Sequence, residues 1–348
     1  MVTGARRARR SSAETLAKGL GLRIASSDEL IIRRCRRGKG WSYIDADGRG
    51  IKDPATIKRL AALAVPPAYA EVLYAGDPCA HLQAIGRDAA GRLQYRYHPE
   101  WEKVREMRKA RRLSRLAEAL PRIHRSIGQH LAGNAPQREL ALAAVIELVA
   151  RSAIRPGSES YARLRGTRGA ATLLKSNVAT YGETVKLTFR SKGGKHILKE
   201  FDAPRLCTAI AIMRQLPGRR LFQYKTESGE VRAVTTNEVN AFLREIAGAK
   251  ISLKDFRTLL ASASALEALA REEPAGDERQ RRRQVLNAVR TVAEDLANTP
   301  AICRKSYVHA TVVAAFEEGV LERFSDTLKS CRSASRRAQV LAEIMARA

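Results

Sequence analysis

Apolar positions in the first third of the chain alternate with polar ones, which is typical of half-buried β-strands. The alternation predicts two β-hairpins, over residues 30–51 and 81–97, and the second one turns at residues 88–91. The return strand of the second hairpin separates its side chains into two faces, with Leu93, Tyr95 and Tyr97 on one and Gln94 and Arg96 on the other. This strand is either a base-reading surface, because a two-stranded ribbon fits the major groove, or a solvated hairpin with an aromatic core face.

After Trp101 most apolar residues recur every three to four positions, which predicts amphipathic and buried helices. A third hairpin, with lysines at its tip, is predicted over residues 183–201, and a loop over residues 271–283. The expected helices cover residues 53–63, 101–131, 137–152, 204–216, 235–247, 252–270, 284–297, 300–318 and 320–346.

These elements predict an α+β protein with two domains, because 348 residues are more than one compact domain usually needs. The first is a small β-rich domain over residues 1–105, and its residues 1–27 are expected to form a basic arm that is mobile at first and then weakly helical. The second, over residues 106–348, is larger and mainly α-helical, with a small antiparallel hairpin.

The formal net charge of +27 predicts a polyanionic partner, which leaves DNA, RNA and anionic membranes as candidates. A membrane span is not expected, because the chain has no run of about 18 apolar residues. No apolar segment typical of a signal peptide follows the basic amino terminus, and the five cysteines are scattered without a Cys-x-x-Cys pair. We therefore expect the protein to be located in a reducing cytoplasm. No phosphate-binding glycine motif and no metal-ligand spacing occurs, so neither a nucleotide cofactor nor a metal is expected.

A single tyrosine, Tyr307, lies in the stretch from Asn298 to His309, directly after Arg304 and Lys305. Thr299 and Pro300 are typical of a helix start, and the helix is expected to continue toward Gly319. Its buried stripe would consist of Ile302, Val308, Val312 and Phe316. A tyrosine on such a helix, among cations, suits a nucleophile that attacks a phosphodiester, although a partly buried core tyrosine is the simpler interpretation.

Four other polar residues occupy special places: Arg155 at the end of a buried helix, Lys192 at a hairpin tip, Arg257 at a helix start, and Asn298 nine positions before Tyr307. Each alone is more simply a solvated polar side chain. Together they supply what phosphoryl transfer from DNA needs. Arginines can hold the nonbridging oxygens, tyrosine can form a covalent phosphodiester, and lysine can protonate the leaving oxygen. Cationic surroundings also lower the pKa of a tyrosine.

The chain resembles the type IB DNA topoisomerases, specifically their short poxvirus-like bacterial form. The resemblance lies in the order of Arg155, Lys192, Lys254-x-x-Arg257, Asn298 and Tyr307 along the chain. The most specific stretches are residues 81–88, 94–99, 254–258, 298–300 and 305–309. The resemblance implies that Tyr307 is the nucleophile of a 3′-phosphotyrosyl intermediate. Arg155 and Arg257 would hold the scissile phosphate, Lys192 would be the general acid, and Asn298 would donate a hydrogen bond where many relatives carry histidine.

The resemblance also implies the partner and the overall arrangement. Gln94, Tyr95, Tyr97 and Tyr161 match DNA contacts of the family. The two domains would close around duplex DNA as a C-shaped clamp. The expected protein is a monomer that relaxes supercoiled DNA without ATP or an obligatory metal, in the cytoplasm at the bacterial nucleoid.

Three positions depart from the family pattern. Ser191 replaces the glycine usual before the hairpin lysine, Pro156 replaces an aliphatic residue, and the run from Leu259 to Ser262 lacks the usual aromatic residue. Two alternatives stay open. A tyrosine site-specific recombinase shares the catalytic core but usually carries histidine where Lys254 stands here. The second alternative is a non-catalytic basic DNA-binding protein in which the residues of the catalytic site have lost their function.

Overall fold

The computed structural model describes residues 13–38, 40–330 and 334–347. Of the arm predicted over residues 1–27, residues 1–12 lie outside the described part, and residues 13–19 are helical. The chain divides into two compact units between Lys109 and Ala110.

The amino-terminal unit is built around an antiparallel sheet of five strands, with a short helix between the second and third strands. Its elements are β1 (Ile32–Arg37), β2 (Gly40–Ile44), α1 (Pro54–Ala62), β3 (Ala70–Tyr74), β4 (Leu82–Arg87) and β5 (Leu93–Tyr97). The strand order is β2-β1-β3-β4-β5, which confirms both predicted hairpins. Strand β3 was not predicted. It is short, and its register against β4 shifts near Glu71, whose φ of +50° interrupts the alternation of side chains.

Both faces of this sheet bury apolar side chains. One face packs on α1, whose first turn is capped by Asp53 and stiffened by Pro54. That layer consists of Ile32, Tyr43, Leu60, Val72, Tyr74 and Ala84. The opposite face buries Ala25, Leu30, Ala75, Ala80, Leu82 and Ile85.

The carboxy-terminal unit is mainly helical, and the long helix α2 (Trp101–His130) spans the division between the units. Its helices are α3 (Arg138–Ser152), α4 (Glu159–Arg165), α5 (Pro204–Arg214), α6 (Thr236–Ala247), α7 (Leu253–Leu269), α8 (Glu278–Asp295), α9 (Pro300–Ser306), α10 (Ala310–Glu317), α11 (Ser325–Ser330) and α12 (Ala334–Arg347). Its strands are β6 (Val178–Tyr181), β7 (Thr184–Arg190), β8 (His196–Asp202), β9 (Gln223–Lys225) and β10 (Val231–Ala233). These strands form an antiparallel sheet in the order β6-β7-β8 and a separate β9-β10 pair.

Helix α3 is the centre of the carboxy-terminal core, as its apolar sequence predicted. Every residue from Leu140 to Ile146 is buried, and α3 lies against α5, α6 and α7. A helix that is apolar on all sides is stable only when neighbours cover all of it. The segments that leave α3 and α7 are therefore held on a rigid support.

Two of the helix predictions were wrong in ways that bear on function. Helix α8 begins at Glu278, capped by Asp277, inside the stretch predicted as a loop. The helix predicted over residues 300–318 is broken into α9 and α10 directly after Tyr307. Ile302, expected in the buried stripe, is 50% exposed, and Cys303 is buried in its place.

Candidate active site

Helix α7 places a buried cation at the centre of three chain segments. Its start is fixed by a capping box, in which the Asp255 carboxylate accepts hydrogen bonds from the Ser252 N–H and hydroxyl, both at 2.9 Å. Half a turn later Arg257 points inward and is 3% exposed. Its guanidinium donates to the carbonyls of Ala153 and Leu296. Arg257 thereby ties the segments that follow α3 and α8 to its own helix.

The segments tied by Arg257 carry two further predicted site residues. Arg155 Nη2 donates to Asn298 Oδ1 over 2.8 Å. The Asn298 Nδ2 atom is buried and has no hydrogen-bond partner, and the same holds for Arg257 Nε. Buried donors without partners are costly and uncommon. The fold thus brings Arg155, Arg257 and Asn298 together and leaves two of their buried N–H donors without a hydrogen-bond acceptor.

Tyr307 lies against this group. The Arg257 guanidinium carbon is 4.9 Å from the centroid of the Tyr307 ring. Burial raises the pKa of Tyr307, but the positive charges of Arg257, Arg155 and Lys254 outweigh it, so the net pKa is below the ordinary 10 of a tyrosine. Burial, together with the charge of Arg155, lowers the pKa of Arg257. Two like charges are therefore close together beside a partly activated phenol.

Close packing of glycines fixes the backbone at Arg155. Gly157 has a φ of +98°, and a side chain at Gly169 would come within 2.5 Å of the Arg155 carbonyl oxygen. The Pro156 carbonyl oxygen accepts a hydrogen bond from the Ala171 N–H at 2.9 Å. Ser191 needs no glycine at its position, because its φ of −99° and ψ of −178° are ordinary extended values.

Lys192 lies outside the Tyr307 cluster, which consists of Arg155, Arg257, Asn298 and Tyr307. It occupies the predicted turn between β7 and β8, and both Gly193 and Gly194 there have a positive φ. The Lys192 ammonium lies 5.9 Å from the ring centroid of Tyr161 on α4, whose other neighbour is the Arg165 guanidinium at 5.5 Å. The predicted acid and a predicted DNA contact are thus neighbours, and the described contacts of Tyr307 do not include Lys192.

Two residues that sequence reasoning missed lie near the cluster. Ser262, on α7, contacts the backbone on both sides of the break after Tyr307. Lys199 is on the inward face of β8, where burial lowers its pKa; the charge of Asp295 raises this pKa, and the smaller effect of the Arg257 charge lowers it. A polar residue inside an apolar run is the one signal in the sequence that marks Ser262.

The predicted contact strand of the amino-terminal unit exposes its aromatic face. Tyr95 is 48% exposed and Tyr97 is 39% exposed, so this face is not a core face. The two rings stack with centroids 6.1 Å apart, and Tyr97 stacks on Trp101 at 6.3 Å. Gln94 is engaged within its own hairpin, where its Nε2 donates to Asp88 over 2.9 Å. The exposed aromatic row and this polar side chain form one candidate contact strand.

Known families match most of the chain. The model of the eukaryotic DNA topoisomerase I catalytic core matches residues 98–334, and that of the bacterial DNA topoisomerase IB N-terminal domain matches residues 40–88. The chain belongs to the type IB DNA topoisomerases. It is therefore an enzyme that acts on duplex DNA and relaxes it by the type IB mechanism, and this favours relaxation over the recombinase and non-catalytic alternatives.

A viral relative agrees with this assignment. DNA topoisomerase 1B of Acanthamoeba polyphaga mimivirus is 29% identical over 286 residues, which are 80% of this chain and 84% of the viral protein. A solved structure of the XerH site-specific recombinase bound to its difH substrate is 12% identical. It has a TM-score of 0.35 and covers 58% of this chain and 52% of the recombinase chain.

Two structural features are absent from residues 13–38, 40–330 and 334–347. No helix in these ranges is long and apolar enough to cross a membrane. The same ranges contain no group of three or more His, Cys, Asp or Glu side chains that could hold a metal ion.

Proposed function

We propose that Tyr307 is the nucleophile of the relaxation reaction and that Arg155, Arg257 and Asn298 bind the scissile phosphate. The observation behind this proposal is the convergence of these four side chains with two buried donors unused. An anion between the two guanidiniums would relieve their repulsion and would give Arg257 Nε and Asn298 Nδ2 an acceptor.

The proposed step exchanges one phosphodiester for another. The Tyr307 oxygen, having lost its proton to water, attacks phosphorus, and the bond from phosphorus to the 5′ oxygen breaks. The products are a 3′-phosphotyrosyl bond and a strand with a 5′ hydroxyl, which receives its proton from Lys192. Arg155 and Arg257 offset the added negative charge of the transition state. Religation is the reverse of this step, so the free energy of the bond is conserved and no energy source is needed.

Asn298 contributes a neutral hydrogen bond in this proposal. Its Oδ1 accepts from Arg155, which orients the amide so that Nδ2 is the free donor. An amide does not titrate near neutral pH, whereas the histidine usual in relatives does. The phosphate contact at Asn298 is therefore independent of pH between about 5 and 8.

Lys192 is proposed to reach the leaving oxygen only when DNA occupies the site. In the free protein its ammonium is over Tyr161, which is itself a proposed DNA contact. DNA that covers Tyr161 would compete for that ring and release the lysine. The two left-handed glycines after Lys192 give the turn the backbone freedom for this movement.

The remaining partner assignments are also proposals. Gln94, Tyr95 and Tyr97 would make major-groove and phosphate contacts, and the two units would close on supercoiled duplex DNA as a clamp. The proposed protein is a monomer that works without ATP or an obligatory metal, in the cytoplasm at the nucleoid. With a net charge of +27, DNA binding should weaken steeply as salt rises, because phosphate contacts release counterions.

The test is relaxation of a negatively supercoiled plasmid in EDTA without ATP, by the wild type, by Tyr307→Phe and by Tyr181→Phe. Tyr181 is 65% exposed on β6 and serves as the matched control. We expect the wild type and Tyr181→Phe to relax the plasmid, and Tyr307→Phe to bind it without relaxing it. Relaxation by purified Tyr307→Phe, or a requirement for ATP, would overturn the proposal.

A further inference from the structure

The chain breaks its helix immediately after Tyr307, and the Ser262 side chain bridges the break. Ser262 Oγ donates to the Tyr307 carbonyl oxygen over 2.9 Å and accepts from the His309 N–H over 3.0 Å. Tyr307 itself has φ −120° and ψ −40°, outside the helical values, and α10 starts afresh with His309 as its cap.

These two bonds replace the ones that an unbroken helix would make. In a continuous helix the Tyr307 carbonyl would accept from the Thr311 N–H, and the His309 N–H would donate to the Lys305 carbonyl. Here Ser262 takes both places, and the Thr311 N–H donates instead to His309 Nδ1 at 3.3 Å. The serine hydroxyl therefore stabilises the broken backbone relative to the continuous one.

Ser262 also links Tyr307 to the arginine beside it. It has no exposed surface, and it follows Arg257 by five residues on α7, about 7.5 Å along the helix axis. One rigid helix thus carries both the cation over the Tyr307 ring and the anchor of the Tyr307 backbone. Movement of either relative to the other requires α7 itself to deform.

We propose that Ser262 is a positioning residue that sets the Tyr307 oxygen for attack on the phosphate. This proposal rests on the proposed role of Tyr307 as nucleophile. Ser262 contacts neither DNA nor the reacting atoms; it acts through the Tyr307 backbone. Without the hydroxyl, the Tyr307 carbonyl and the His309 N–H lose a buried partner, and the intrahelical bonds become their best alternative. The ring then turns away from Arg257.

The expected effect of Ser262→Ala is on chemistry and not on binding. A displacement of about 1 Å at a reacting atom lowers the rate about 100-fold. We therefore expect single-turnover cleavage of a suicide duplex to slow about 100-fold, while the dissociation constant, measured in a Tyr307→Phe background, stays within about twofold. The cleavage rate should also rise at higher pH than in the wild type, because a phenol farther from Arg257 has a less depressed pKa.

Two further variants make the test specific. Ser264→Ala changes the same residue type on the exposed side of the same helix and should match the wild type. Ser262→Thr keeps the hydroxyl and should recover at least tenfold over Ser262→Ala, together with the original pH profile.

The outcomes separate this proposal from the role of Tyr307. If Tyr307→Phe is inactive while the separate variant Ser262→Ala cleaves at the wild-type rate, the proposed role of Ser262 is overturned and that of Tyr307 is not. Loss of DNA binding in Ser262→Ala equal to its loss of cleavage, or an unshifted pH profile, also overturns it, since either indicates a general structural role. A covalent adduct formed by Tyr307→Phe overturns both proposals.

Discussion

The Tyr307 cluster and the Lys192 turn differ in how much of their proposed working geometry the free protein holds. The cluster is built on buried supports, and Arg257 is bonded to two backbone carbonyls while Arg155 is bonded to Asn298. Lys192 stands at an exposed hairpin tip, and its described neighbour is an aromatic ring that is itself 39% exposed. Both regions are needed for the same proposed reaction.

Under the proposed roles, the side chains that bind the phosphate are arranged in the free protein, and the lysine that delivers the proton is not. Preorganised donors cost no rearrangement when charge develops in the transition state. An acid kept away from the nucleophile until DNA arrives would protect the enzyme from unproductive proton transfer.

Arg257→Gln should cause the largest loss, more than about 1000-fold in the single-turnover cleavage rate. Loss of one transition-state donor costs about 100- to 1000-fold. This variant also releases the carbonyls of Ala153 and Leu296, which align Arg155 and Asn298. Arg257→Lys should rescue little, because an ammonium cannot bond to both carbonyls in the geometry of a guanidinium. A near wild-type cleavage rate for Arg257→Lys would refute the claim that the buried contacts of Arg257 arrange the phosphate site before DNA binds.

Lys192→Ala should lower cleavage of ordinary duplex about 100-fold, the scale of general acid catalysis. The rate should return on a substrate whose scissile 5′ oxygen is replaced by sulfur, because a thiolate leaves without a proton. Lys195→Ala, at the other end of the same turn, is the control and should remain active. If sulfur rescues Lys199→Ala and not Lys192→Ala, the half-buried lysine of β8 is the acid, and the contrast between a prepared and an unprepared region disappears.

Lys254→Gln should have the smallest effect, a few-fold loss at neutral pH. The charge of Lys254 helps to depress the pKa of Tyr307, so its removal raises that pKa and lowers the fraction of phenolate at any pH below it. The rising limb of the cleavage rate against pH should therefore move to higher pH, with the same maximum rate. An unchanged profile would show that the charge of Lys254 does not activate Tyr307.

The sequence predicted those parts of the molecule that local patterns determine. The alternation of side chains around Tyr95 predicted β5, and the apolar run from Leu140 predicted α3. The Asp53-Pro54 pair predicted the start of α1. These features depend on side chains that are close in sequence, so their physical cause is visible in the chain itself.

The geometry after Tyr307 was not predictable in the same way. Val308, Val312 and Phe316 keep helical spacing through the break, so periodicity favours one helix. The break depends on Ser262, 45 residues away, whose hydroxyl replaces two helical hydrogen bonds. The bonds from Arg257 to Ala153 and Leu296 are equally remote in sequence. Such contacts exist only after the helices have packed.

The central claim is that Tyr307 becomes covalently joined to the 3′ phosphate of the cut strand. The most direct test is to trap the wild type on a suicide duplex, digest the adduct with protease and nuclease, and locate the modified residue by mass spectrometry. We predict one nucleotide-bearing peptide, with the phosphate on Tyr307 and none on Tyr161 or Tyr181. A modification at any other residue, or none in a preparation that relaxes plasmid, would contradict this account.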